Sequence, residues 1–394
     1  MFQRLLPLIS ISSIIIAQLA TFILFYFFDK GIAGKIGIAY LWANFSARIV
    51  FLGGEQSLVK RLLASELSEY TTGFSLYATI TSILFLSSIP LVFLFGDLVN
   101  LDKVEYLFIM TFLMLLALQW LEIFSKVEGL YHLYQIVLLV TAILLVASYL
   151  MAYFFDENSL FILILGQRIV GLIITLTILF WLFKSFVNKF SLQGWRQILK
   201  SDYGFILLLT ISLINVFVDR MFISAKVEPD TYADYMIIVA IYSLAIMPKS
   251  LLANQYLVLL KTDMEGYFNT VRKISAIYVP ILLLLGFMAY WVVTVYLLVN
   301  YEFMPGIYGV LAISAVVEVL LGPAGMVNSF KYHPKYNLIP EITGIVTFLL
   351  ILLLNNIFGS PSAEGFLSVV IAMAISKVVI AYTKLVTLKR LQIH

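Results

Sequence analysis

The stretch LYQIVLLVTAILLVASYLMAYFF (133–155) carries no charged residue, and SLFILILGQRIVGLIITLTILFWLF (159–183), after a short Asp-Glu-Asn break, carries only Arg168. A helix rises ~1.5 Å per residue, so about 20 apolar residues cross the hydrocarbon core of a bilayer. Strands of a membrane barrel would instead be short and alternate apolar with polar residues. These runs are long and continuous, so the pair reads as two membrane-spanning helices.

Reading outward, the same pattern recurs. Spans are expected at about 5–28, 36–53, 74–95, 106–124, 133–155, 159–183, 205–224, 233–251, 274–299, 306–326, 338–357 and 365–383. The expected fold is therefore all-α integral membrane, with about twelve transmembrane helices. The first run exceeds a signal h-region and no small-x-small site follows it, so it is expected to stay as an anchor.

Composition agrees. Of 394 residues, 62% are hydrophobic and 12% charged, whereas soluble domains average about 45–50% apolar and about 25% charged. A soluble enzyme, a disordered chain and a nucleic-acid binder are excluded. The loops leave no room for a soluble domain. There are 0 Cys, and the three His (His132, His333, His394) form no ligand-spaced cluster. Walker A, paired zinc-ligand and GxSxG motifs are missing, so an enzyme is not expected and a transporter is.

Lys and Arg set the orientation. The side holding the N-terminus and the even-to-odd loops has 17 Lys/Arg against 9 Asp/Glu, and the opposite side has 5 against 12. Both termini are therefore expected in the cytoplasm. The longest polar interval, KSFVNKFSLQGWRQILKSDYG (184–204), falls at mid-chain. It divides the chain into an N-terminal six-helix bundle (1–183), a cytoplasmic linker (184–204) and a C-terminal six-helix bundle (205–394). An even helix count per half makes the pseudo-two-fold repeat parallel. One echo of it aligns Tyr40 of IAYLWANFSARIVFLGG with Tyr235 of ADYMIIVAIYSLAIMPK.

Four ionisable residues lie well inside the spans: Arg48, Arg168, Glu318 and Lys377. A charge at the bilayer centre costs about 2.5–3.5 kcal/mol on insertion scales, so such residues normally face a bundle interior or a wet cavity. Three are cations, and sharing one lumen they would suit an anionic head group; Arg matches phosphate oxygens bidentately. Arg48 either snorkels to an interface or, with the polar Asn44 beside it, lines a cavity. Arg168, next to Gln167, is near mid-depth, and Lys377 is either a snorkelling or a cavity cation. Glu318 is either a structural partner for one of these cations or a protonatable coupling site. Asp219 and Arg220 form either an interfacial ion pair or a substrate contact.

Several stretches carry a likeness beyond these charges. NFSARIVFLGGEQSLVKRL (44–62) is a polar second helix leading to Gly and a basic loop. VDRMFIS (218–224) with YADYMIIVAIYSLAIMPKSLLA (232–253) keeps a D-x-x-x-I … Y … P order, and GPAGMVNSFKYHPKYNLI (322–339) forms a turn between helices. In these the chain resembles the polysaccharide exporters and O-antigen flippases of the multidrug/oligosaccharidyl-lipid/polysaccharide (MOP) superfamily. PSAEGFLSVVIAMAISK departs from that pattern near the end.

The resemblance implies two six-helix bundles around a cationic cavity in a bacterial inner membrane. It implies a flippase that moves an undecaprenyl-pyrophosphate-linked oligosaccharide, for lipopolysaccharide or polysaccharide assembly, from the cytoplasmic to the periplasmic leaflet by alternating access. No cofactor is implied beyond a coupling proton or sodium ion. The implied partners are the lipid-linked substrate, membrane lipids and the polysaccharide polymerase machinery, with no nucleic acid. Arg48 stands where related lipid II flippases carry an Arg after Asn. The alternatives are a multidrug-type antiporter of the same superfamily, which should favour buried carboxylates over cations, and a membrane enzyme of polysaccharide assembly.

Overall fold

The computed structural model describes residues 2–50, 76–77, 79, 83, 104–127, 131–155, 157–183, 192–255, 263–328, 332, 334–354 and 363–393. Most of the span expected at 74–95, and His333 and His394, lie outside them. The described residues are almost entirely helical. They form α1 (Phe2–Phe27), α2 (Lys30–Val50), α3 (Glu105–Val127), α4 (Tyr131–Tyr153), α5 (Glu157–Phe183) and α6 (Leu192–Lys226). Then come α7 (Pro229–Gln255), α8 (Met264–Val292), α9 (Pro305–Leu321), the single turn α10 (Ala324–Val327), α11 (Leu338–Leu354) and α12 (Ala363–Ile393). Among the described residues, seven helices are long and apolar enough to cross a membrane. This is a multi-pass membrane protein.

The chain divides into two compact units, Met1–Thr210 and Ile211–His394. Residues 192–204 of the expected linker are helical and open α6, where Ile198 and Trp195 pack into the core of the first unit with Leu118, Leu121 and Ile178. In that unit α1 lies along α4, and α3 lies along α2 and α5. In the second unit α8 packs on α7 and α9, while α12 packs on α9 and α11.

Local chemistry explains the helix ends. The Asp263 side chain accepts from the Gly266 N–H at 2.8 Å and starts α8. Pro305 starts α9 at its first turn, where the missing N–H has no partner to lose. The same helix stops at Gly322, whose φ of 82° suits a residue without Cβ. A Cβ there would also meet the Phe268 ring at 2.6 Å.

The exposed helix faces suit lipid rather than water. On α8, Ile281, Leu284, Leu285 and Met288 are each more than half exposed. An apolar patch of that extent on a water-facing helix would drive association; against acyl chains it costs nothing.

Helices of such bundles approach closely where small residues meet. Gly344 of α11 touches α12: a Cβ there would run into the Ile380 side chain, and Ser376 Oγ donates to the Gly344 carbonyl at 2.7 Å. Gly344→Ala is expected to destabilise the second unit by about 1–3 kcal/mol through overpacking. The check is the thermal midpoint in detergent; an unchanged midpoint would show that the two helices can slide apart freely.

Candidate functional site

In the first unit, the buried positions of α5 recur as Leu160, Ile164, Gln167, Arg168, Gly171, Thr175 and Leu179. That spacing is one helical stripe. Ile162, Ile169, Ile173 and Phe180 fall on the opposite, lipid-exposed face. Arg168 therefore points into the lobe, and only 7% of it is exposed.

Three other helices surround its guanidinium. The Tyr40 ring of α2 lies beneath it, 4.6 Å from ring centroid to guanidinium carbon. Nη1 donates to the Met114 thioether of α3 at 3.8 Å. Met114 gets there because Gly171 leaves room: a Cβ on Gly171 would lie 2.8 Å from its sulfur. The Tyr40 hydroxyl in turn meets the Tyr149 hydroxyl of α4 at 3.2 Å. The Arg168 Nε–H has no acceptor. The neighbouring Gln167 amide is anchored by donating Nε2 to the Thr141 carbonyl at 3.0 Å.

Arg48 and Asn44 are also together, but in a different environment. Arg48 is exposed, and its Nε donates to Asn44 Oδ1 at 3.0 Å, one turn back on α2.

The second unit holds the remaining residues of the set. Asp219, 2% exposed, accepts from the Tyr235 hydroxyl at 2.5 Å through Oδ2, and its Oδ1 has no partner. The adjacent Arg220 lies with its guanidinium carbon 5.9 Å from the centroid of the Phe217 ring, and its Nε lacks an acceptor. A further group forms around the buried Tyr242 of α7. Lys377 Nζ of α12 lies 6.0 Å from its ring centroid, and the Glu318 carboxylate of α9 acts electrostatically on its hydroxyl. Lys377 and Glu318 are each half-buried.

The two tyrosines aligned by the repeat echo thus serve charges of opposite sign. Tyr40 carries a cation on its ring face, whereas the Tyr235 hydroxyl donates a hydrogen bond to a carboxylate. In the sequence, the repeat echo is the signal that marks these two tyrosines.

An ion pair between a half-buried lysine and a buried carboxylate has no such signal. Lys384 Nζ of α12 meets Glu341 Oε1 of α11 at 2.5 Å. Asn215 of α6 donates Nδ2 to Glu341 Oε2 at 2.6 Å and to the Glu341 carbonyl at 2.9 Å. The Lys384 stem packs where a Cβ on Gly325 would sit, 3.0 Å from its Cδ, and the Lys384 carbonyl accepts from Asn328 at 3.1 Å. Both charged residues lie near expected span ends, so they counted among cytoplasmic-side charges.

No protein-family model matches this sequence, and no curated protein does. Solved structures do match its fold. The lipid II flippase MurJ in an inward closed conformation aligns over 98% of this chain and 87% of its own, with TM-score 0.65 and 13% identity. A MATE transporter in its bent conformation aligns over 100% and 97%, with TM-score 0.65 and 16% identity. A MOP superfamily transporter from Pyrococcus furiosus, described by the reverse polarity of its binding pocket, aligns over 97% and 92% at TM-score 0.61 and 15% identity. The fold is the one these transporters share, all-α with twelve helices in two lobes, as the sequence reading expects.

Proposed function

We propose that this chain is a flippase carrying an undecaprenyl-pyrophosphate-linked oligosaccharide from the cytoplasmic to the periplasmic leaflet of a bacterial inner membrane, with both termini cytoplasmic. One observation carries the reading: Arg168, 7% exposed, has a π face and a thioether beside it but no carboxylate among its described contacts. A buried cation without a counter-charge costs several kcal/mol. A protein that transports anions recovers that cost when an anionic head binds. Arg48, exposed on α2, is an accessible cation of the same lobe, and Lys377 supplies a half-buried one in the second unit. The likeness to a lipid II flippase supports the substrate class.

A second reading, an ion-coupled multidrug antiporter, is favoured by Asp219, a buried carboxylate with one oxygen left open. In the flippase reading, Asp219 and Glu318 are the groups that would exchange a coupling proton or sodium ion.

Reconstitution into vesicles separates the two. With a fluorescent undecaprenyl-pyrophosphate-linked sugar, dithionite-inaccessible label should become accessible on adding the protein. Transport of an organic cation with no movement of the sugar would replace the first reading by the second. Tyr235→Phe is expected to change ion dependence more than sugar flipping at saturating gradient, since it removes the hydroxyl that Asp219 accepts; equal loss of both would make the pair structural.

A further inference from the structure

Donors exceed acceptors around Arg168. A guanidinium offers five N–H donors and no acceptor. Here one of them reaches a thioether, a weak acceptor, and the Nε–H reaches none. The Tyr40 and Tyr149 hydroxyls carry one proton each, and their mutual contact uses only one. The second is a spare donor beside a positive charge.

The Tyr40 face offsets only part of the charge, since cation–π contacts leave the cation's net charge in place. Gln167 Oε1 is an unpaired acceptor next in sequence, but it is neutral and belongs to the amide held on the Thr141 carbonyl. Among the described residues no carboxylate stands within ion-pair distance of Arg168. A buried, positively charged, donor-rich niche is chemically complete only with an anion in it.

The size of that anion follows from coverage. Arg168 is more than nine-tenths buried among α2, α3, α4 and α5, and Tyr149 is 1% exposed. Closed packing there excludes a bulky head group, so an occupant has to be small enough to bridge a guanidinium edge and a hydroxyl, which points to a halide-sized ion. We propose that a small monovalent inorganic anion, of the chloride class, is the resting counter-ion of Arg168, held by the Arg168 N–H groups and the spare proton of the Tyr40–Tyr149 pair. A phosphate oxygen of the substrate displaces it when the lobe opens. The displacement step rests on the flippase reading; the resting site does not.

The experiment is a thermal-melt titration of the full chain in neutral detergent with zwitterionic lipid, comparing sodium chloride, sodium gluconate and inorganic phosphate at constant ionic strength. Chloride should raise the melting midpoint by several degrees, saturably, and gluconate should not. Arg168→Gln should abolish the chloride response. Should that variant fail to fold, Tyr40→Phe with Tyr149→Phe keeps the guanidinium and removes the spare proton; it should weaken the chloride midpoint about tenfold. Equal responses to chloride and gluconate, or a wild-type response in either variant, would overturn the site. Stabilisation by phosphate alone would also overturn it, as the mark of a head-group site with no halide resident. Because no substrate is present, the outcome stands apart from the flipping assay. Chloride binding without sugar movement would remove the proposed function and leave this site.

Discussion

Replacing Arg168 with Gln should lower flipping of a pyrophosphate-linked sugar in vesicles by at least about tenfold, with folded protein still recovered. Gln keeps hydrogen-bonding capacity and most of the length, but it removes the charge. Truncating one side of a buried charged contact typically costs about 2–5 kcal/mol, and about 1.4 kcal/mol is already tenfold. The apo protein should not suffer equally: Arg168 forms no ion pair with a described residue, so its removal leaves no orphaned carboxylate behind. That combination separates a functional cation from a structural one. Export at wild-type rate, or a variant that loses stability and flipping in parallel, would count against the reading. Arg168→Lys is a sharper control, because it keeps the charge and gives up the planar fork and the stack on Tyr40.

The opposite pattern is expected at Lys384. Among the described residues, Lys384→Met leaves the Glu341 carboxylate, 5% exposed, with only Asn215 to satisfy it. Removing one member of a fully buried pair costs about 3–5 kcal/mol, and somewhat less where one partner is part-exposed as Lys384 is, whereas removing both charges is often close to neutral. Lys384→Met alone should therefore lower the melting midpoint strongly, and Lys384→Met combined with Glu341→Gln should recover most of the loss. The coupling between the two substitutions, read as a double-mutant cycle, is the decisive quantity. Additive losses would show that the pair is not a coupled unit. Asn215→Ala should add a smaller loss, since it withdraws one donor from the carboxylate and one from the Glu341 backbone carbonyl without uncovering a charge.

These two sites differ in how far the sequence reveals them. Arg168 is conspicuous because it is the lone cation in a long apolar run, and the buried stripe Ile164–Arg168–Gly171–Thr175 has the period of one helix face. Its partners are hidden: Met114 is 54 positions away, and the Tyr40–Tyr149 contact spans 109. Asp219 was noticed for its charge, yet beside Arg220 it read equally well as an interfacial pair. The fold instead gives it to Tyr235. Glu341 and Lys384, 43 positions apart, sit near span ends where charges are cheap. Nothing local distinguishes them from anchors; the close approach of α11 to α12 at Gly344 is what makes them a pair.

A membrane-embedded all-helical chain, the rough limits of most described spans and the scarcity of charge within them are all legible along the chain. The bilayer explains why: it tests each segment separately for length and hydrophobicity, and that test is local. Which of the few buried charges is compensated was decided only by tertiary structure. Compensation depends on side chains from other helices arriving within hydrogen-bond distance, and no periodicity along one helix encodes that. Glu341 found a lysine and an amide, Asp219 found a tyrosine, and Arg168 found no anion among the described residues.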